Sequence, residues 1–369
     1  MRFVRWRQLV CGSVLAVLVA SGSASAQITP AAGYTPPDDT PSIRVGATIF
    51  TDYTYTKSPE STDADGNSFN PSSFNVARSY INITGNISHI VAFRITPDVT
   101  RDTDAASSIN GSLIFRIKYA YAQFNTDEWV SRGSYARLGI QQTPWLDFAE
   151  GIYRYRFQGT MFVEREGYFA SADGGVSFHY QIPSNYGDVH VGVYNGENYN
   201  RAETNGEKAV MIRGTVRPFA GSSTTVLRGF RASGFYDSDH YLKNGDRNRG
   251  IFSLTFEHPY VNAAYEYLDA ADQTSVTRAK VNSHGYSIWA TPKTTKGWEG
   301  LLRYDHLTPD DSIDRATRQR TIVGVAYWFP HQGNVTSALM LDYDGQSFDN
   351  FVPALPKQQR IALHALINF

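Results

Sequence analysis

The sequence predicts an all-β fold: a transmembrane antiparallel β-barrel of about sixteen strands with a long third loop folded inward. Three observations point to it. Apolar residues recur at every second position through most of the chain, the links between these stretches alternate long and short, and the last stretch ends on an aromatic, Phe369.

Composition narrows the classes first. The 369 residues carry 34 Lys+Arg against 35 Asp+Glu, a formal charge of −1, which excludes a nucleic-acid binder working through bulk charge. Aromatics reach 14% while charged residues are only 19%, a ring-rich and charge-poor mixture unusual for a soluble enzyme. At the start, Arg2, Arg5 and Arg7 precede an apolar run from Leu9 to Ala20, and S-A-S-A at 23–26 has the small-residue pattern of a secretory cleavage site. The run is about 12 residues where a spanning helix needs about 20, so 1–26 reads as a cleaved signal rather than an anchor. Its removal takes away the one cysteine, Cys11, and leaves 31 basic and 35 acidic residues, a charge of −4. Export without thiols fits a large sheet in the Gram-negative envelope. Residues 27–41 hold Pro30, Pro36, Pro37 and Pro41 without alternation and read as a periplasmic N-terminal segment, with 42–369 as the barrel domain.

The strands follow in order. The first places Ile43, Val45, Ala47, Ile49, Tyr53 and Tyr55 on one face. In G-S-L-I-F-R-I-K-Y-A-Y-A-Q-F, Leu113, Phe115, Ile117, Tyr119 and Tyr121 share a face opposite Arg116 and Lys118. Val261, Ala263, Tyr265 and Tyr267 repeat the pattern, as do Val335, Leu339, Leu341 and Tyr343. An apolar face ending in tyrosine suits lipid, with rings at headgroup level, better than the inner face of a soluble sandwich. The tail, with Ile361, Leu363, Ala365, Ile367 and Phe369 on one face, closes the sheet on the first strand and resembles the signal read by the barrel-assembly machinery.

The links sharpen the case. Long polar ones are expected at 57–72, 102–110, 143–172, 195–208, 237–249, 269–282, 308–319 and 345–357. Shorter ones alternate with them at Ser88, 125–134, 183–187, 218–225, 258–260, 291–297 and 330–334. Long external loops on one rim and short periplasmic turns on the other are the asymmetry of an outer-membrane barrel. The 143–172 link carries Trp145, Phe148, Tyr153, Tyr155, Phe157, Phe162 and Phe169, too many rings to sit in water, so it is expected to pack inside and narrow the bore.

Catalytic and metal motifs are missing from the sequence. There is no H-E-x-x-H, and His179, His190, His258, His306 and His364 are scattered singly, so neither metal nor cofactor is expected. The nearest Ser/His pair for a barrel enzyme is Ser287 with His284. Cations are the informative set: the faces opposite the apolar ones carry Arg116, Lys118, Arg137, Arg213, Arg217, Arg231 and Arg303. Two readings stay open, a merely polar wall with acids such as Glu266, Glu299, Asp305 and Asp342 as partners, or a basic lining that guides anions. Arg154, Arg156 and Arg165 in the third loop, with the acids Asp147, Glu150, Glu164 and Glu166, complete the candidate constriction.

The segment Y-A-R-L-G-I-Q-Q-T-P-W-L-D-F, followed by M-F-V-E-R-E-G-Y, resembles the phosphate-selective porin O and P family, through Gly139, Thr143, Pro144, Trp145, Glu164 and Arg165. R-S-Y-I-N-I-T-G-N-I and V-G-V-Y-N-G are similar to further strands of that family. The resemblance implies a trimeric barrel whose third loop forms the constriction. The third loop departs from the family in having no lysine and four acids. The expectation is a passive outer-membrane channel in lipid for small hydrophilic solutes or inorganic anions, a homotrimer and not an enzyme. A lipase-like barrel enzyme and a soluble exported glycan-binding β-protein are its rivals.

Overall fold

The computed structural model describes residues 39–331, 333 and 335–369. The signal at 1–26, Cys11 and all but the end of the 27–41 segment lie outside the described residues. Strands β1 (Ser42–Ser58), β2 (Ser72–Asn86), β3 (Val91–Arg101), β4 (Leu113–Asn125), β5 (Tyr135–Gln142), β6 (Ala172–Ile182), β7 (Gly187–Tyr194) and β8 (Ala209–Val216) form the first half of the sheet. Strands β9 (Phe230–Leu242), β10 (Gly245–His258), β11 (Val261–Asp272), β12 (Val281–Pro292), β13 (Trp298–Thr308), β14 (Thr317–Trp328), β15 (Thr336–Asp349) and β16 (Gln358–Asn368) form the second. Each pairs antiparallel with its sequence neighbour, and β1 pairs with β16 from Thr48↔Asn368 to Ser58↔Gln359, so the barrel is closed. At the seam the Ala47 and Phe369 backbones exchange two hydrogen bonds of 3.0 Å. The glycine at 46 is required there, because a Cβ would stand 2.4 Å from the Phe369 carbonyl oxygen.

The alternation expected from the sequence is the alternation observed, with one displaced register. Ile43, Val45, Tyr53 and Tyr55, then Leu113, Phe115 and Ile117, then Leu339, Leu341, Tyr343, Ile361, Leu363 and Ile367 all face outward and are exposed. Tyr119 and Tyr121 do not: both are buried on the inside. Thr96 pairs with Tyr119 and Pro97 with Ile117, so Lys118 is the extra residue of a β-bulge and the strand changes face there. Pro97 explains the site of the slip, since it has no N–H to donate to the ladder.

The long and short links alternate as expected, except at 237–249. There β9 and β10 run on as strands and turn through Lys243 and Asn244, the latter at φ 67, just before Gly245. Asn244, which tolerates the left-handed conformation, closes a two-residue hairpin turn, and this outweighs the polarity of the run. Its charged residues are strand residues on the inner face: Asp237, Asp239, Arg247 and Arg249 are buried, with Arg247 paired to Asp239 and Arg249 to Asp272 at 2.8 Å. On the short-link rim, His89 takes Asp39 at 2.6 Å, a hydrogen bond that raises the imidazole pKa above its usual value and ties the end of the N-terminal segment to that rim.

The third loop carries α1 (Pro144–Ile152) and α2 (Phe162–Arg165) and folds into the barrel. Trp145, Tyr153, Tyr155 and Phe162 are almost completely buried. Their partners are inward rings of the wall: Trp145 meets Phe235 at 6.1 Å, Tyr153 meets Trp289 at 5.2 Å and Tyr155 meets Trp328 at 5.8 Å. The main apolar core is therefore inside the barrel, between loop and wall. Deleting Phe369 removes the seam bonds with Ala47 and one outward ring but no lumen group. The expected result is slower appearance of the folded, heat-modifiable form on gels, and wild-type folding rates would refute it.

Candidate pore constriction

The loop is fastened to one side of the barrel by polar ties. From the loop, Arg154 donates to Glu299 of β13 at 2.8 Å and lies 3.8 Å over the Trp328 ring. Gln158 donates to Asp342 at 2.8 Å and Arg165 to Asp344 at 3.1 Å, both on β15. In the other direction, Arg213 of β8 donates to the Pro144 carbonyl at 2.9 Å, Arg303 of β13 to the Thr160 carbonyl at 3.0 Å, and Arg318 of β14 to Glu166 at 3.2 Å. Within the loop, Arg156 bridges Glu150 at 3.1 Å and Glu164 at 2.6 Å.

Two chambers flank the loop. One, of about 480 Å³, is lined by Tyr80, Arg94, Lys118, Glu150 and Arg213 among others and reaches Arg217 and Glu257 near the short links. The other, of about 370 Å³, is lined by Asp52, Arg78, Arg165, Arg320 and Arg360 and opens toward the long links at Gln358. Phe50 and Arg156 line both, which places the neck between the loop and β1.

Charge around the neck is unequal in number and in position. Asp344 alone receives Arg165 at 3.1 Å, Arg320 at 2.9 Å and Arg360 at 2.6 Å. Its side chain is 2% exposed while that of Arg360 is 43% exposed, so the carboxylate sits behind and the guanidinium faces the water. Asp98 repeats the arrangement with Arg78 at 2.9 Å and Arg116 at 3.2 Å, at 0% exposure against 25% and 26%. The Lys118 ammonium donates to the neutral Tyr80 hydroxyl at 3.2 Å, and Arg94 donates to Asn82 at 2.9 Å and lies 4.4 Å over the Tyr119 ring.

The structure distributes the sequence-predicted residues unevenly. Arg156 stands at the neck, Lys118 lines the first chamber, and Arg116 joins Arg78 on Asp98. Arg165 lines the second chamber, but Arg154 is held against the far wall. Glu164 and Glu166 serve as partners for Arg156 and Arg318, and Arg137 donates to Gln123 at 2.9 Å and reaches Asp147 at 3.4 Å. Of the remaining wall cations, Arg213 pairs with Asp188, Arg231 with Glu257 and Arg303 with Asp305. Ser287 and His284 do not meet: Ser287 is buried and donates to Asp305 at 2.7 Å, while His284, an odd number of residues away on the same strand, faces the other side with Asp311. Sequence reasoning missed Arg78, Arg94, Arg320 and Arg360. Strand parity was the available signal, since Arg360 stands two and four residues from the inward Ala362 and His364.

Gly139 and Thr143–Pro144 have structural roles where they stand. Gly139 sits at φ 125 with the Ala120 carbonyl 2.3 Å from any added Cβ, and Pro144 starts α1 after the extended Thr143.

Among solved structures, the chain is similar to an anion-selective porin from Comamonas acidovorans, at TM-score 0.62 and 11% identity over 89% of this chain and 100% of that one. It is similar to the in-vitro folded, trimer form of OmpT, an outer membrane protein of Vibrio cholerae, at TM-score 0.60 and 12% identity over 90% and 100%. It is also similar to the outer membrane channel DcaP of Acinetobacter baumannii, at TM-score 0.56 and 13% identity over 92% and 100%. At such identities the likeness establishes the barrel fold. No family model matches the sequence. No curated protein matches it either.

Asp344 holds three guanidiniums, one of them from the loop. Asp344→Ala leaves these charges without their carboxylate, and breaking a buried pair costs about 3–5 kcal/mol. The variant is expected to lose its folded form at a clearly lower temperature in a heat-modifiability series; an unchanged transition would show that the ties contribute little.

Proposed function

We propose that the chain is a passive diffusion channel of the Gram-negative outer membrane for small hydrophilic solutes, with a preference for anions. An outward apolar wall with tyrosines near the strand ends supports insertion in lipid rather than a soluble glycan-binding role. The long links, among them 59–71 and 309–316, then face the outside, and the short ones at 183–186 and 259–260 the periplasm. The observation that carries the anion preference is the pair of hidden carboxylates, Asp344 and Asp98, each shared by more than one lumen-facing arginine. Low-dielectric walls strengthen the field of such a surplus, and each unit charge at ~8 Å acts on an anion with about 2 kcal/mol at an effective dielectric of ~20, before screening. The likeness to an anion-selective porin and to an outer membrane channel is in keeping with this reading. A homotrimer and membership of the phosphate-selective porin O and P family are finer proposals. The first is supported by the trimer form of a similar structure and the second by the motif from Gly139 to Arg165.

Reversal potentials in planar bilayers under a KCl gradient test the proposal. The wild-type protein should give an anion-selective value. Replacing Arg320 and Arg360 with Ala should move it toward cations severalfold in permeability ratio, whereas Arg154→Ala, a residue already tied to Glu299, should move it little. A cation-selective wild type would overturn the preference, and the absence of any conductance would overturn the channel. Cysteines placed singly in 309–316 and 183–186 should react with an impermeant maleimide on intact cells only at the former; the reverse pattern would invert the orientation.

A further inference from the structure

The link between β7 and β8, residues 195–208, also sends a side chain into the lumen. Its first half is pinned to the start of β6, where Asn195 N donates to the Gly174 carbonyl at 2.8 Å, Gly196 N to Asp173 at 2.8 Å and Tyr199 N to the Ala172 carbonyl at 3.1 Å. These bonds hold Tyr199 beside the β2–β4 wall, where it meets both arginines of the Asp98 group. Arg78 donates to the Tyr199 hydroxyl at 3.4 Å, and the Arg116 guanidinium lies 4.9 Å over its ring. Asp98 is hidden from water, while the Arg78 and Arg116 side chains are 25% and 26% exposed and Arg78 lines the chamber on the long-link side. Tyr199 therefore shares with that water two guanidiniums that keep part of their surface open.

Resting on the channel reading, we infer that Tyr199 is a specificity-determining residue that competes with permeating anions for Arg78 and Arg116. A phenol oxygen at 3.4 Å is a long, uncharged acceptor for a guanidinium, and an anion offers the same donor a shorter bond with opposite charges on its two partners. Exchange is therefore favourable for an oxyanion or halide and unavailable to a neutral or cationic solute. The same phenol, held in place by its backbone, returns when the anion moves on, and so keeps binding weak enough for release, as conduction requires. The aromatic face does the equivalent for Arg116, replacing part of its lost hydration when no anion is present.

Competition and simple narrowing predict different behaviour in Tyr199→Phe and Tyr199→Ala. The first keeps the ring over Arg116 and frees Arg78; the second frees both. Single-channel current would be measured against concentration for potassium chloride and for potassium phosphate. The half-saturating anion concentration is expected to fall roughly threefold in Tyr199→Phe, the scale of one long, weak hydrogen bond released. It should fall further in Tyr199→Ala, with the anion-to-cation permeability ratio rising in the same order. If Tyr199→Phe matches wild type and Tyr199→Ala only raises conductance, the ring is a spacer and the inference is wrong. Unchanged saturation in both variants overturns it as well, while the channel reading survives. A wild type without conductance removes the channel reading and the inference together. Should Tyr199→Ala not assemble, Tyr199→Leu replaces it, and the Phe variant alone still decides between competition and spacing.

Discussion

Closure of the sheet, which leaves no strand edge with unpaired backbone groups, is the constraint on which the rest of the molecule depends. In hydrocarbon no water can take an N–H or C=O, so a sheet that crosses it has to end where it began. The seam between Ala47 and Phe369 meets that demand. Closure then fixes which residues face in and which face out, because a strand offers only two sides. The outer side is committed to apolar contact, and every polar requirement of the protein is displaced to the inside.

That displacement explains the unusual core. A barrel of this width leaves more interior than its own side chains fill, and the third loop occupies part of it with rings that elsewhere would form the centre of a soluble domain. The loop cannot rest on apolar contact alone, since the wall it meets is polar. Glu299, Asp342 and Asp344 as acceptors and Arg213, Arg303 and Arg318 as donors therefore hold it through hydrogen bonds and ion pairs. Fastening the loop to the β8 and β13–β15 side places the neck at β1, so the open path is off centre. The proposed anion preference follows from that asymmetry, since Asp98 and Asp344 stand behind the arginines rather than between them.

Much of the fold was legible because period-two alternation with an apolar outer face leaves so little choice. Ile43, Leu341 and Leu363 could be assigned to the outer face from alternation alone. The misreadings have physical causes. The polar run at 237–249 looks like a loop to any reading that equates polarity with irregular structure, but the inside of a barrel is wet and accepts Asp239 and Arg247 as strand residues. The rings of Tyr119 and Tyr121 look lipid-facing unless Pro97, a residue on a different strand, is recognised as breaking the ladder opposite them. The candidate constriction was less legible than the fold. Arg154 and Arg360 are alike as letters, and what separates them is whether a carboxylate stands beside them or behind them, which depends on strands far apart in sequence.

The bulge at Lys118 has a consequence for how much chemistry one strand can deliver. A regular strand gives the lumen every other residue, with neighbours on the same face about 7 Å apart. Across the bulge, Lys118 and Tyr119 are consecutive and both point inward. At this point the wall presents an ammonium and a phenol ring side by side, 5.3 Å apart. A single inserted residue thus works like a shift of reading frame: it doubles the local density of functional groups beside the neck, and it makes the identity of every inward residue downstream depend on the strand keeping that one extra position.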